Sequence, residues 1–291
     1  MALSSVETYH SPENEAAVVQ LLQKYEDSAL IVAGGTFLHG LAARGLLTGV
    51  EALIDIQELG LDYIRINSDG AVIGAAARFL QLEQDESVRQ QPWLGAVRDA
   101  ISYPPVQIMN AATVGGSIAA SCPFFDLPTS FLALDGAVRA HGPGGNRDIP
   151  MEAFFTGLFE NCLAPDEFVT EITLPTPAPD SASAFIKLET NANDLAILNV
   201  AVALTLNGSN ACSRARVFVG GGTGETPARA GSAEQVLTGA GIDANTINKA
   251  AEAAKSDVDP ISDHRASAEY RAEMTRVLVA RAIRKALERA G

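Results

Sequence analysis

Three prolines in alternate positions, Pro175, Pro177 and Pro179, punctuate the stretch Leu174-Pro-Thr-Pro-Ala-Pro-Asp-Ser-Ala-Ser183. Each fixes its own φ, removes an amide donor and pushes the residue before it out of the helical region, so the stretch should run extended. It predicts an extended, solvated seam dividing the 291 residues into a domain over 1–175 and a second over 180–291. Before the seam, short apolar runs predict strands at Ala29 to Val32, Ala52 to Ile56, Tyr63 to Asn67 and Ala71 to Ala75, the last two flanking a Ser68-Asp69-Gly70 hairpin signal. Helical patterns run from Glu15 to Tyr25, Phe37 to Arg44, Trp93 to Ile101 and Leu127 to Leu134, the last behind Asp126 as a candidate N-cap.

After the seam, Ala184 to Leu188, Ala196 to Leu206 and Ala215 to Val219 predict three strands, and the remainder is helical in pattern. In the final helix, Ser267 to Arg289, spacing sets Tyr270, Met274, Val277 and Leu278 on one face while Ile283 and Leu287 rotate to another. Its last turns should therefore meet a different surface, of this chain or of a partner.

Lys and Arg number 21 against 35 Asp and Glu, a formal charge of −14. That is the wrong sign for neutralising nucleic-acid phosphates, which excludes DNA and RNA as expected partners. Cys122, Cys162 and Cys212 form no Cys-x-x-Cys pair, and His10, His39, His141 and His264 lack ligand spacing, so neither a metal site nor an iron–sulfur cluster is expected in this chain. The start carries no signal-peptide pattern and no stretch has the length of a membrane span, which predicts a cytoplasmic protein.

Two glycine pairs are candidates for chemistry. In Ile31-Val32-Ala33-Gly34-Gly35-Thr36-Phe37-Leu38 a buried strand runs into a diglycine and then a helix. Such a turn can bring successive N–H groups onto phosphate oxygens, though a single Gly-Gly-Thr taken alone is more often an ordinary tight turn. The second, Asn110 to Asp126, is read as a β-rich approach to Gly115-Gly116 followed by small residues and an acid. There a flat ligand could lie against the backbone, with Asp126 bonding a ribose or capping the next helix. Neither loop is a P-loop, and Gly220 to Gly224 fails the dinucleotide fingerprint because Glu225 and Pro227 fall where its third glycine belongs. No Gly-x-Ser-x-Gly elbow is present. Lys187, between Ile186 and Leu188 on a predicted strand, is either a snorkelling edge residue or a charge aimed at a ligand.

These pieces in order resemble the FAD-binding medium subunit of the molybdenum hydroxylases, the carbon monoxide dehydrogenase, quinoline and nicotine oxidoreductase group, which is similar to the FAD domain of xanthine dehydrogenase. Ala33 to Thr36 and Gln107 to Gly116 resemble its two FAD loops, and Ser121 to Pro128 the continuation. Gly222 to Arg229 and Asp263 to Arg271 resemble signatures of its C-terminal domain. The resemblance implies an α+β fold: a two-lobed FAD domain of the vanillyl-alcohol-oxidase (PCMH) type, then a three-stranded antiparallel sheet with helices. It implies that Ile31, Val32, Ala33, Gly34, Gly35, Thr36, Phe37 and Leu38, with Thr113, Val114, Gly115, Gly116 and Ser117, wrap the FAD pyrophosphate and its surroundings. Asp126 would bond the adenosine side, Tyr103 would lie near the cofactor, Val169 would touch the flavin ring and Lys187 would lie at its polar edge. A cation there can stabilise negative charge on reduced flavin.

The resemblance further implies a heterotrimer, assembled as a dimer of heterotrimers. A large subunit would carry a molybdopterin cytosine dinucleotide-type Mo cofactor and hydroxylate the substrate. A small subunit with two [2Fe-2S] clusters would feed the flavin, which passes electrons to an external acceptor. Ser117 stands where relatives often have Asn, Phe37 where an acid is common, and Cys122, Phe124 and Phe125 where smaller residues are common, so the flavin surround should be unusually apolar. No cysteine-bearing insertion separates Thr113 from Asp126, which disfavours the benzoyl-CoA-reducing branch. The competing readings are a stand-alone flavin reductase or oxidase and a non-catalytic assembly subunit.

Overall fold

The structure is a computed structural model that describes residues 5–191, 194–209 and 211–290. Residues 1–4 of the N-terminal segment and residue 291 lie outside the described residues.

The N-terminal part has two lobes. One is a three-stranded parallel sheet, ordered Thr8–His10, Ala52–Asp55, Ala29–Val32. Parallel neighbours need crossovers, which the helices Glu15–Tyr25 and Thr36–Ala43 supply. Asn14 caps the first of these by accepting from the Ala17 N–H at 3.0 Å, and its Val18, Val19 and Leu22 pack with Ile54, Ile56 and Phe168. The other lobe is a five-stranded antiparallel sheet, ordered Ile64–Asn67, Gly70–Gly74, Phe168–Pro175, Ala137–Gly142, Gly145–Pro150.

The C-terminal sheet has the three long antiparallel strands that hydropathy predicts, Ser181–Leu188, Leu198–Leu206 and Cys212–Gly220. A fourth, Ala228–Arg229, joins its edge; two residues are too few to show an alternation in sequence. Helices Gly231–Leu237, Ala244–Ala253 and Ala268–Ala290 cover one face. Phe185, Ala201 and Phe218 on the other face share a core with Val97, Ile101, Leu127 and Phe131 of the N-terminal helices. Burial on both faces explains why Leu198–Leu206 reads as a nearly continuous apolar run. Pro175 and Ala178 to Asp180 are exposed, as the prolines require, yet the two halves meet across a joint core.

The final helix departs from its predicted face. Tyr270 is 46% exposed, and Arg271 and Thr275 are fully buried beside Leu278 and Ile283. The Arg271 guanidinium donates to the carbonyls of Ile197 (3.0 Å), Ile261 and Ala266 (3.1 Å) and to Asp263 (2.9 Å). Hydropathy places such a residue outside because it cannot see those acceptors. Gly222 lies under this guanidinium, where an added Cβ would stand 3.1 Å from Arg271 Cζ. The two C-terminal signatures therefore meet at one buried arginine. Ile283 and Leu287 stay in the same core as Leu278 rather than turning to another surface; it is Arg289 that reaches the N-terminal helix Gly95–Ile101, where it bonds Asp99.

Candidate functional site

The first diglycine lies at the end of Ala29–Val32. Gly35 takes φ +67° just before the helix Thr36–Ala43, in space that holds no other atom within 4 Å of a built Cβ. Gly34 is needed for a different reason: its Cβ would stand 1.9 Å from the Ala111 carbonyl oxygen. The two loops thus touch backbone to backbone. No amide from Gly34 to Leu38 has a protein acceptor among the described residues. Five consecutive N–H groups without an acceptor, at the positive end of an eight-residue helix, are chemically suited to an anion. Ile31 and Ala33 turn their side chains into the small N-terminal core, so only their backbone faces this turn.

The second loop differs from its expectation. Its approach is a helix, Val106–Ala111, started by Pro105, and not β-rich. Neither Gly115 nor Gly116 has positive φ. Gly115 is required because Ala75 packs on it, with Cβ to Cβ at 2.4 Å were a side chain added. The amides are engaged: Val114 N–H donates to Ala77 O (2.9 Å), Gly115 N–H to Ala75 O (2.9 Å), Gly116 N–H to Thr113 Oγ1 (3.2 Å) and Ser117 N–H to Thr113 O (3.0 Å). This loop is a wall, and the first loop is where an anion can be gripped. Val169 is tied to the same wall, since the next residue, Thr170, accepts from the Ala75 N–H at 2.8 Å.

Phe37 links the first loop to the segment before Asp126. Its ring meets Phe125 edge-on at 5.6 Å and stacks on Phe159 at 6.0 Å, so two of the aromatic residues noted in sequence join with Phe159 in one group. Cys122 is buried, and burial pushes its thiol up to about 11, where it is unreactive at neutral pH.

Asp126 is not a cap. It is the first residue of the helix Asp126–Ala133, Phe125 precedes it, and its carboxylate turns inward. Lys187 Nζ donates to Asp126 Oδ2 at 3.0 Å, and Asn199 Nδ2 donates to Oδ1 at 3.2 Å. Burial pushes the Asp126 carboxyl up to about 6, against the pull of Lys187 and Asn199. The Lys187 side chain is 3% exposed, which rules out snorkelling. Its Nζ lies 5.3 Å from the centre of the Tyr103 ring, and its backbone N–H donates to the Tyr103 hydroxyl at 3.2 Å. Asp126 and Lys187, which the resemblance assigns to two different parts of the cofactor, are thus direct partners.

Asn199 and Glu189 were missed in the sequence. Asn199 is fully buried and completely bonded, donating also to Phe125 O at 3.1 Å and accepting from Thr129 at 2.8 Å. A lone amide inside the apolar run Leu198–Leu206 was its signal. Glu189 Oε2 stands 3.4 Å from Lys187 Nζ, and nothing local in the sequence marks it. His10 and His141 are bonded locally, to Tyr25 and to Asn146. Among the described residues no cluster of His, Cys, Asp or Glu could hold a metal ion, and no helix is long and apolar enough to cross a membrane.

Residues 4–177 match the model of the FAD-binding domain in molybdopterin dehydrogenase, and residues 183–286 that of the CO dehydrogenase flavoprotein C-terminal domain. The chain belongs to the FAD-binding subunits of the molybdenum hydroxylases. Among relatives of this flavoprotein subunit, the 6-hydroxypseudooxynicotine dehydrogenase complex subunit alpha of Paenarthrobacter nicotinovorans is 35% identical, over 94% of this chain and 91% of its own. The carbon monoxide dehydrogenase medium chain of Afipia carboxidovorans is 31% identical, over 97% of each chain. A solved chain of the Hydrogenophaga pseudoflava carbon monoxide dehydrogenase superposes with a TM-score of 0.92 at 29% identity, over 98% of this chain and 99% of that one. This FAD-binding subunit is thus an oxidoreductase component with the two-lobed FAD fold and C-terminal sheet expected of it.

The residues fit the cofactor the family binds. A diphosphate needs donors without other acceptors, which Gly34 to Leu38 have, and an uncharged ring suits aromatic neighbours of the kind that Tyr103, Phe37 and Phe125 are.

Proposed function

We propose that this subunit carries electrons from [2Fe-2S] clusters of a small partner subunit to an external acceptor, in a cytoplasmic dimer of heterotrimers. The large subunit would hold the molybdopterin cytosine dinucleotide-type Mo cofactor and perform the hydroxylation. Flavin, when bound, supplies exchange of one or two electrons, which no side chain of this chain can store. The chain's own part is to hold and tune. Gly34 to Leu38 direct their amides at the diphosphate, the Thr113 to Ser117 wall confines it, Val169 lines the ring, and the Lys187–Asp126 pair serves the flavin end. Domain limits at 175 and 180 separate the part that grips from the part that contributes Lys187.

The observation that carries this reading is the row of unengaged amides from Gly34 to Leu38, locked against Ala111. Co-purification of the native complex with metal and flavin analysis tests it. The expected result is one FAD per copy of this chain, with molybdenum and iron on other chains. Turnover of an organic substrate by this chain alone would identify a self-sufficient reductase or oxidase, and a colourless chain that takes up no FAD would identify an assembly subunit.

A further inference from the structure

We infer that Glu189 and Lys187 together read the pyrimidine edge of the flavin, the carboxylate accepting from the ring N3–H and the ammonium donating to the adjoining carbonyl. The inference rests on the FAD reading above and adds to it a residue and a recognition mode.

Glu189 Oε2 is buried and has no hydrogen-bond partner among the described residues. Lys187 Nζ lies 3.4 Å from it, and the two side chains are 20% and 3% exposed. The ammonium has three protons to place, and its hydrogen bond to Asp126 Oδ2, at 3.0 Å, uses one. An acceptor lacking a hydrogen-bond donor therefore sits beside an ammonium with protons to spare, and that ammonium lies over the Tyr103 ring. Buried polar groups are normally satisfied, so each unmatched one calls for a partner.

The partner must present a donor next to an acceptor, spaced as the carboxylate and the ammonium are. The flavin pyrimidine ring does so, with N3–H between two carbonyls. A hydrogen bond from N3–H to an ionised carboxylate is charge-assisted and stronger than a neutral one. The charge balance also matters. Asp126 and Glu189 set two carboxylates against one ammonium, so the group works against negative charge on the ring; removing the Glu189 charge should raise the flavin midpoint potential. An adenine edge also offers a donor beside an acceptor, and methylation at flavin N3 separates the two cases because it leaves adenine untouched.

The test uses the full chain stripped of flavin and reloaded with FAD or N3-methyl FAD. Wild type should bind FAD about tenfold more tightly than the methylated analogue. Glu189→Ala should lose that preference and bind FAD about tenfold more weakly, with its circular dichroism unchanged. Glu189→Gln, which keeps an acceptor oxygen but no charge, should retain the preference while its midpoint potential moves upward. Equal binding of both flavins by wild type, or a preference that survives in Glu189→Ala, overturns the inference and leaves the FAD assignment standing. A wild-type chain that takes up neither flavin overturns both.

Discussion

Asp99 and Arg289, 190 residues apart in sequence, face each other across two hydrogen bonds of 2.7 Å. Lys285 Nζ adds a contact at 2.9 Å, and the Phe185 N–H donates to the same carboxylate at 3.0 Å. The arrangement joins the N-terminal helix Gly95–Ile101, the strand that carries Lys187 and the final helix at a single acid. Burial raises the Asp99 carboxyl, but the bonds from Arg289, Phe185 and Lys285 outweigh it and hold the group below its ordinary value of 3.8. A depressed carboxylate stabilises the fold above its unfolded pKa and loses that contribution as pH falls through the folded one. Asp99→Asn should therefore cost about 3–5 kcal/mol at neutral pH, as expected for breaking a buried pair. The deficit should narrow below about pH 4. Urea unfolding at a series of pH values measures it, and a deficit independent of pH would refute the account.

Gly34 and Gly35 should respond to alanine in different ways. At Gly34 the new Cβ meets the Ala111 carbonyl at 1.9 Å, so the two loops must part. FAD uptake should be lost even if the chain folds. At Gly35 there is room but φ is +67°, which costs a non-glycine residue about 1–2 kcal/mol. Gly35→Ala should bind FAD with only modest loss. Flavin fluorescence titration distinguishes them; equal affinity in the two variants is the contrary result.

Asp126 should give a pH dependence of opposite sign to that of Asp99. Its folded value, about 6, lies above its ordinary 3.8, so between these values the folded chain holds a proton that the unfolded chain has lost. Stability from this group is full below about pH 4 and is lost as pH rises through about 6. Relative to wild type, Asp126→Asn should gain up to about 3 kcal/mol across that window. Paired unfolding curves of the flavin-free chains show whether the difference changes with pH; a flat difference contradicts the shifted value.

Arg271 should tolerate no substitute. Lysine cannot span the carbonyls of Ile197, Ile261 and Ala266 together with Asp263, because it lacks the planar fork. Arg271→Lys should destabilise the chain by about 3 kcal/mol or more. A melting temperature within a degree of wild type would show that the arginine is dispensable.

Local patterns were legible in the sequence. Glu15–Tyr25 and Ala29–Val32 fall where periodicity and capping put them, because Asn14 and the apolar spacing act within a few residues. The hairpin at Ser68-Asp69-Gly70 follows from the same short-range rules. What sequence could not show is pairing at a distance. Asp126 looks like a helix cap until Lys187, 61 residues on, claims its carboxylate. Gly115 looks like a flexible turn residue until Ala75 is found against it. Arg271 looks solvent-facing because its acceptors are carbonyls from two other segments, one at Ile197 and one spanning Ile261 and Ala266. The family motifs marked where the loops lie, but not that one offers its amides and the other has them already engaged.

The Asp99 clamp also sets an order of events during translation. A ribosome adding roughly 5–20 residues per second needs roughly 10–40 s to travel from Asp99 to Arg289. Throughout that interval the nascent chain holds an acid whose counter-ion has not yet been made. Phe185, Ala201 and Phe218 are likewise absent when the helix that will meet them emerges. The nucleotide-binding half is thus synthesised first but finished last, its apolar face uncovered until the sheet that packs on it has been made.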